Sequence, residues 1–235
     1  MDSWGKKEKR DRRAATFLTF QSHEDAGICE RLAPSDASES GQTLSDYKIA
    51  KRRLPPLRQK KMILLSVLRF RDSKNPLPKQ VLADVSQFLE IFFQSKIQIG
   101  SDIELDQFRG NAEANGKGNP LQYDAEQLIE RYLHPKKSLE ALMHIGITPE
   151  DLMIKQNRLV YGVAGLANSA YQCCLVTWHG LGATKTKPFL RRFLSTLAHE
   201  SSHCFNIAHC IFYKCLMEQG KCLSYIFFFQ SDSRS

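Results

Sequence analysis

Two histidines and a glutamate near the end of the chain have the types and spacing of a hydrolytic metal centre. The segment reads Thr196-Leu-Ala-His-Glu-Ser-Ser-His-Cys204. In a helix, residues four apart lie one above the other on the same face, so His199 and His203 can both bind one metal ion. Zinc lowers the pKa of a bound water towards about 7, and the neighbouring carboxylate of Glu200 can remove its proton. The HExxH arrangement therefore predicts metal-assisted hydrolysis with Glu200 as the general base.

A third histidine can supply the remaining protein ligand. His209 lies six residues beyond His203, and the spacing HExxHxxxxxH is the metzincin pattern. For His209 to reach the same ion, the helix must end after His203 and the chain must turn. That turn usually has glycine, because a left-handed backbone carries no Cβ penalty there. Here the position is Asn206, the next most tolerant residue type in that conformation. We expect one catalytic zinc bound by His199, His203 and His209.

The residues after His209 resemble those of the archaemetzincins. The family pattern is HExxHxxGxxHC, four residues, then C-x-M, and this chain has Cys210, Cys215 and Met217 in that register. The resemblance covers about residues 60–217 and is weaker before the histidine segment. It includes stretches that look like the family's helix, GIT strand and hairpin: Tyr123–Lys136, Ala141–Asp151 and Arg158–Ser169. The resemblance implies a metzincin-like fold, peptide-bond hydrolysis with aminopeptidase-like preferences in some members, and a methionine turn at Met217 beneath the metal.

The resemblance also implies a second, structural zinc, for which Cys210 and Cys215 would supply two ligands. A tetrahedral site of four thiolates is completed in the family by a later CxxC pair. This chain has only Cys222 beyond Met217 before it ends in LSYIFFFQSDSRS. The sequence therefore predicts one catalytic zinc, leaves the second site incomplete, and suggests a divergent, C-terminally truncated relative.

Other reactive residue types have structural interpretations. Cys173 and Cys174 are adjacent, so a strand would point them to opposite faces, where we expect buried structural thiols. His144 lies inside the apolar run LMHIGI and is expected to be a core histidine with its polar atoms satisfied. Gly162 and Gly165 alternate with apolar residues, which would let a substrate backbone approach an edge strand.

Hydrophobic periodicity predicts the elements that must position these residues. We expect strands at Met62–Phe70, Lys96–Leu105, Leu139–Ile147, Leu159–Gly165 and Ala170–Trp178, and helices at Leu77–Gln94, Ala125–Leu133 and from Lys187 into the histidine segment. This order predicts a single α/β (α+β) domain, in which a mixed, twisted sheet packs on helices that include the zinc-binding helix.

The first 60 residues differ from the rest of the chain. The tracts Lys6–Arg13 and Lys48–Lys61 hold much of the positive charge of a chain whose formal net charge is +8. We predict a basic, largely disordered segment over 1–60, a metallopeptidase domain over 61–222 and an irregular tail over 223–235. A nuclear-import or nucleic-acid tract is the alternative interpretation of the basic residues.

The sequence also indicates where in the cell the protein is located. No apolar run follows the N-terminal charges, as a secretory signal requires, and no stretch approaches the roughly 20 apolar residues of a membrane helix. The seven cysteines are expected to be thiols or metal ligands. The sequence predicts a soluble intracellular protein, cytoplasmic or nuclear, without a membrane partner. It disfavours a nucleic-acid partner and leaves the oligomeric state open.

Two functions are consistent with these features. In the first, zinc polarises the scissile carbonyl of a peptide or protein substrate that lies along an edge strand, and Glu200 transfers the proton to the leaving amine. The second is a catalytically inactive, truncated zinc-binding relative that acts as a binding protein. The intact Glu200 favours the enzyme, whereas Ser201, Ser202 and Asn206, which depart from the family pattern, and the missing cysteines favour the binding protein.

Overall fold

The helices and strands are taken from a computed structural model, which describes residues 42–51, 62–73, 76–111, 113–114, 121–156, 159–184, 186–210 and 215–218. The helices are α1 (Leu44–Lys51), α2 (Lys79–Phe93), α3 (Ala125–Leu128) and α4 (Lys187–His203). A π turn (Ile129–Leu133) and a 3-10 turn (His134–Lys136) continue α3. The strands are β1 (Met62–Arg69), β2 (Lys96–Ile99), β3 (Ile103–Glu104), β4 (Glu113–Ala114), β5 (Leu121–Asp124), β6 (Ala141–Thr148), β7 (Asp151–Gln156), β8 (Leu159–Val163), β9 (Gly165–Asn168) and β10 (Cys173–Thr177).

The main sheet has six strands in the order β2-β1-β6-β10-β9, with β3 also paired to β1. Strands β1, β2, β3, β6 and β10 are parallel, whereas β9 runs antiparallel to β10. Parallel neighbours need a crossover connection, which α2 supplies between β1 and β2. In the part of the chain that the structure describes, β9 lies at the edge of this sheet.

The two faces of the main sheet are buried by different elements. On one face, α2 and α4 pack through side chains such as Val85 and Phe193. On the other, α3 and β5 pack through Leu128 and Tyr123. Because side chains alternate along a strand, Cys174 belongs to the first cluster and Cys173 to the second. Both thiols are fully buried, which confirms the prediction for this pair.

A second sheet of four strands, in the order β4-β5-β7-β8, was not predicted, although its strand β8 lies within the strand expected over Leu159–Gly165. Strand β7 joins it, parallel to β5 and antiparallel to β8. The sequence of β7, DLMIKQ, has only three consecutive apolar residues between polar ends, so neither an alternating nor a long apolar pattern marks it. The predicted α/β class with a mixed sheet is confirmed, with more strands than periodicity indicated.

Several predicted boundaries change. The strand expected over Leu159–Gly165 ends at Val163, and Gly165 begins β9 in the main sheet. The strand expected over Lys96–Leu105 is divided at Gly100, whose N–H donates to Leu65 O at 2.8 Å and whose missing Cβ would lie 2.7 Å from Ser66 Oγ. The chain therefore passes too close to β1 for a side chain. Leu139, predicted to begin the next strand, is 93% exposed and precedes β6 in a turn.

Part of the predicted N-terminal segment has regular structure, because α1 lies within it. The rest of 1–60 apart from residues 42–51, the tail over 223–235, and Cys222 lie outside the described residues. The domain boundaries therefore stay predictions. Among the described helices, none has both the length and the apolar character of a membrane span.

Candidate metal centre

Helix α4 carries the first two histidines of the predicted centre. Thr186 precedes the helix and accepts a hydrogen bond from Phe189 N at 3.3 Å, and Pro188 lies in the first turn, where its missing N–H is harmless. The helix then runs without interruption to His203. His199 and His203 are therefore held on one helix face, four residues apart, as the spacing predicts.

The chain reverses directly after this helix. Asn206 has a φ of 60°, and its N–H donates to His203 O at 2.9 Å. A left-handed residue at this point ends a helix by turning the chain away from the helix axis. The left-handed conformation expected for Asn206 is observed, and it brings His209 back towards α4.

The three imidazoles converge. The Nε2 atom of His199 lies 3.1 Å from that of His203 and 3.3 Å from that of His209, and the latter two are 3.2 Å apart. Tetrahedral zinc with Zn–N bonds of about 2.05 Å would separate its ligand nitrogens by about 3.3 Å. Among the described residues, these three form the only group of three or more His, Cys, Asp or Glu whose ligand atoms lie this close together. The donor set fits a zinc ion.

The far side of two of the rings is fixed by backbone carbonyls. The Nδ1 atom of His199 lies 2.7 Å from Leu216 O, and the Nδ1 atom of His203 lies 2.6 Å from Ile207 O. A carbonyl can only accept, so each Nδ1 carries the proton and each Nε2 presents its lone pair to the common point. Burial lowers the pKa of His199, which favours the neutral form that binds a metal.

Glu200 lies against the edge strand of the main sheet. A Cβ added at Gly165 of β9 would be 2.6 Å from Glu200 Cγ, so the absence of a side chain there makes room for the glutamate. Burial raises the pKa of Glu200 to about 7. A carboxyl group with a pKa near the working pH is suited to accept and return a proton.

Glu200, His203 and His209 line a cleft of about 610 Å³. One wall is formed by β9 and the residue that follows it, and the other by the end of α4 and the turn to His209. The lining residues are Ile154, Gly165, Leu166, Ala167, Ser169, Glu200, His203, Asn206, Ile207, Ala208 and His209. Gly162 is not among them. It lies in β8, the edge strand of the second sheet, beside the Gln122 amide, so of the two predicted glycines only Gly165 lines this cleft.

The two serines of the motif are accommodated inside the protein. Ser201 is fully buried, with its Oγ 3.6 Å from the Cys174 thiol. Ser202 donates to Ala198 O, one turn earlier in α4, at 2.7 Å. Both hydroxyls therefore have partners, and neither interrupts the helix.

The residues proposed for a second zinc are close to each other. The Cys210 and Cys215 thiols are within hydrogen-bonding reach, and partial burial is the main cause that raises the pKa of Cys215 to about 11. Cys210 N donates to Met217 O at 2.7 Å, and Met217 itself is buried. Cys222, the next cysteine, lies outside the described residues. A second zinc therefore stays a prediction.

The carbonyl partners of the histidines were not among the residues that the sequence suggested. Leu216 and Ile207 contribute only backbone atoms, which have no sequence signature. Their role could be found only from the requirement that a metal-binding histidine donate its other N–H to some acceptor.

Comparisons with known proteins agree with the predicted fold. No family model matches the chain, and no curated protein matches it by sequence. The archaemetzincin structure from Methanopyrus kandleri is 20% identical, with a TM-score of 0.55 over 74% of this chain and 88% of that one. The archaemetzincin structure from Archaeoglobus fulgidus, complexed with malonate, is 17% identical, with a TM-score of 0.53 over 71% of this chain and 90% of that one. The family resemblance noted from the sequence is confirmed for the architecture: this chain has the archaemetzincin fold.

Proposed function

We propose that this protein is a zinc-dependent metallopeptidase that hydrolyses peptide bonds. The observation that carries the proposal is the convergence of three Nε2 atoms, 3.1 to 3.3 Å apart, two of whose histidines, His203 and His209, line one cleft with Glu200. His199, His203 and His209 would hold the metal. Zinc is favoured because neutral imidazoles oriented by second hydrogen bonds are its preferred nitrogen ligands.

The chemistry of the proposed reaction is shared between the metal and Glu200. A zinc ion at the three histidines would supply Lewis acidity to the scissile carbonyl and acidify a water molecule. Glu200 takes the proton of that water and passes it to the leaving amine. Next to a bound cation the Glu200 carboxylate is held in its ionised form, since an opposite charge offsets the effect of burial. The group of converging ligand atoms consists of the three histidines without Glu200, so we assign Glu200 the role of base rather than ligand.

The substrate is proposed to bind as an additional strand along β9. This edge strand pairs with β10 on one side, and its residues Gly165, Leu166 and Ala167 line the cleft. An extended peptide can add its backbone hydrogen bonds to such an edge. An aminopeptidase-like preference is part of the proposal, and it predicts that a free substrate N-terminus increases the rate of cleavage.

The decisive experiment combines zinc content with hydrolysis of a peptide library by the full chain. The wild-type protein is expected to bind one zinc and to cleave peptides, with free and acetylated N-termini compared in parallel. Glu200→Gln should keep the zinc and lower cleavage by about 10²-fold or more. Glu140→Gln, at an exposed position before β6, is the matched control and should behave as the wild type.

Three results would contradict parts of this proposal. Cleavage that survives Glu200→Gln would exclude the mechanism. Zinc binding without cleavage of any peptide would favour the alternative, a catalytically inactive zinc-binding protein. Equal rates on free and acetylated peptides would remove only the aminopeptidase-like preference.

A further inference from the structure

A residue far away in sequence contacts the turn that delivers the third histidine. Gln42 lies just before α1, and its side-chain amide bonds to the turn in two places. Gln42 Nε2 donates to Asn206 O at 2.9 Å, and Gln42 Oε1 accepts from Ala208 N at 3.1 Å. One side chain therefore holds a backbone acceptor and a backbone donor two residues apart, in the way that a neighbouring strand would.

The two bonds from Gln42 add to a third bond that already holds the turn. His203 Nδ1 already binds Ile207 O at 2.6 Å, between the two groups that Gln42 holds. Three consecutive residues between the second and third histidines thus have a backbone group bound by a side chain. His209 follows directly, so the position of its imidazole depends on how well this turn is held.

The backbone that presents Gln42 is itself fixed by a helix cap. Thr43 N and Thr43 Oγ1 both donate to Asp46 Oδ2, at 2.9 and 2.6 Å, and Asp46 N donates back to Thr43 Oγ1 at 3.2 Å. This reciprocal arrangement has the form of a capping box, which fixes the direction of the chain at the start of a helix. Gln42 is therefore presented to the turn from an ordered helix start.

We infer that Gln42 is a positioning residue for the metal centre, which holds the turn Asn206–Ala208 so that His209 is preorganised as a ligand. The inference rests on the proposed metal centre but not on peptidase activity. Gln42 is half-buried and Ala208 is exposed, so water can replace the amide when it is removed. Loss of the Gln42 amide should therefore lower the preorganisation of His209 as a ligand and leave the global stability unchanged. Direct hydrogen-bond partners of metal ligands typically affect metal affinity by 10–100-fold, and Gln42, which acts through the turn, should lie near the lower limit.

The test measures zinc affinity by competition with a chelator, together with the visible spectrum of the Co²⁺-substituted full chain. Gln42→Ala should raise the zinc Kd by about tenfold and weaken the absorption of four-coordinate Co²⁺. Gln42→Glu keeps the acceptor for Ala208 N–H but sets a carboxylate oxygen against Asn206 O, where two acceptors repel each other, so its Kd should be at least as high as that of Gln42→Ala. Gln80→Ala is the matched control, because Gln80 makes one exposed bond to Asp84 within α2.

A substitution outside the turn gives a second test. Thr43→Ala removes the cap and touches neither the turn nor a histidine, yet it should weaken zinc binding in the same direction as Gln42→Ala. The metal-free melting temperature of Gln42→Ala should equal that of Gln80→Ala, since the proposed role is in positioning.

Several outcomes would overturn the inference. A Gln42→Ala Kd within about twofold of the wild type, or an equal loss in Gln80→Ala, would remove the role of Gln42 while leaving the metal centre intact. A loss of affinity accompanied by a matching fall in metal-free melting temperature would mean that Gln42 is merely structural. A wild-type chain that binds neither zinc nor Co²⁺ would reject the metal centre itself, and this inference with it.

Discussion

The side chain of Glu200 occupies the space that a side chain at position 165 would need. A methyl group on Gly165 would lie 2.6 Å from Glu200 Cγ and 3.1 Å from Glu200 Cδ, and also 3.1 Å from the backbone oxygen of Leu175. The edge strand of the proposed substrate site and the proposed general base are therefore in direct contact. Any residue other than glycine at position 165 must move one of them.

We predict that Gly165→Ala lowers peptide hydrolysis by about 10²-fold while zinc content stays at the wild-type level. A displacement of about 1 Å in a catalytic group is enough for a loss of that size, and the three atoms nearest to the added methyl group belong to Glu200 and Leu175 rather than to a histidine. The measurement is kcat/KM on a peptide substrate, with zinc determined on the same sample.

Gly162→Ala is the matched control for this substitution. A Cβ at Gly162 would meet only the end of the Gln122 side chain, at 3.3 Å, with the next atom at 3.9 Å. That variant should keep nearly full activity. Equal activity of Gly165→Ala and Gly162→Ala would show that the contact with Glu200 is unimportant for hydrolysis.

Removal of one imidazole should empty the metal centre. Two histidines are too few to retain zinc at ordinary concentrations, so His203→Ala should contain less than about a tenth of an equivalent after desalting. His179→Ala, at an exposed position outside the cleft lining, should retain one equivalent. Elemental analysis of the two variants side by side decides the point, and zinc retained by His203→Ala would exclude this ligand set.

The turn at Asn206 gives a prediction about backbone conformation. Its φ of 60° is a left-handed conformation, which destabilises a residue with a Cβ by roughly 1 kcal/mol. Glycine has no such penalty, and for Asn the penalty is smaller. Asn206→Gly should therefore leave the free energy of unfolding within about 0.5 kcal/mol of the wild type, whereas Asn206→Ala should lower it by about 1 kcal/mol. Urea unfolding of the metal-free variants measures both. A wild-type-like Asn206→Ala would mean that the turn adopts another conformation.

The parts of the site that sequence could predict are those encoded by local spacing. His199 and His203 converge because a helix repeats every 3.6 residues, and His209 joins them because the helix ends and Asn206 turns the chain. Each of these steps depends on residues within a few positions of one another. The fold class was predictable for a related reason, since long apolar runs such as Met62–Phe70 identify buried strands directly.

The parts that sequence could not predict depend on contacts between distant segments. Gln42 reaches the turn across 164 residues, and its type and neighbours give no indication of this. The partner of His199 is the backbone oxygen of Leu216, which any residue would supply. Strand β7 escaped prediction because DLMIKQ is stabilised by pairing with β5 and β8 rather than by its own pattern.

His144 supports a prediction about pH that is independent of the metal. It is fully buried in β6, with Nδ1 2.9 Å from Leu133 O and Nε2 2.9 Å from Ser66 Oγ. The carbonyl can only accept, so Nδ1 donates to it and Nε2 accepts from the serine hydroxyl. Burial, with smaller contributions from Lys137 and Lys136, lowers the pKa of His144 to about 4, although the bond to Leu133 opposes the shift.

The sign of the pH effect follows from the two protonation states. Between about pH 6.5 and pH 4 the unfolded chain binds a proton at His144 that the folded protein excludes, so the free energy of unfolding must fall as pH is lowered through this range. A shift of this size corresponds to at most about 3 kcal/mol. His144→Gln can still donate to Leu133 O and accept from Ser66, but it cannot ionise, so its stability should depend less on pH. Urea unfolding of the metal-free proteins at pH 7 and pH 5 gives the comparison, in which the other histidines contribute equally to both. If the wild type and His144→Gln lose the same stability between these pH values, the buried imidazole is not the group that destabilises the fold in acid.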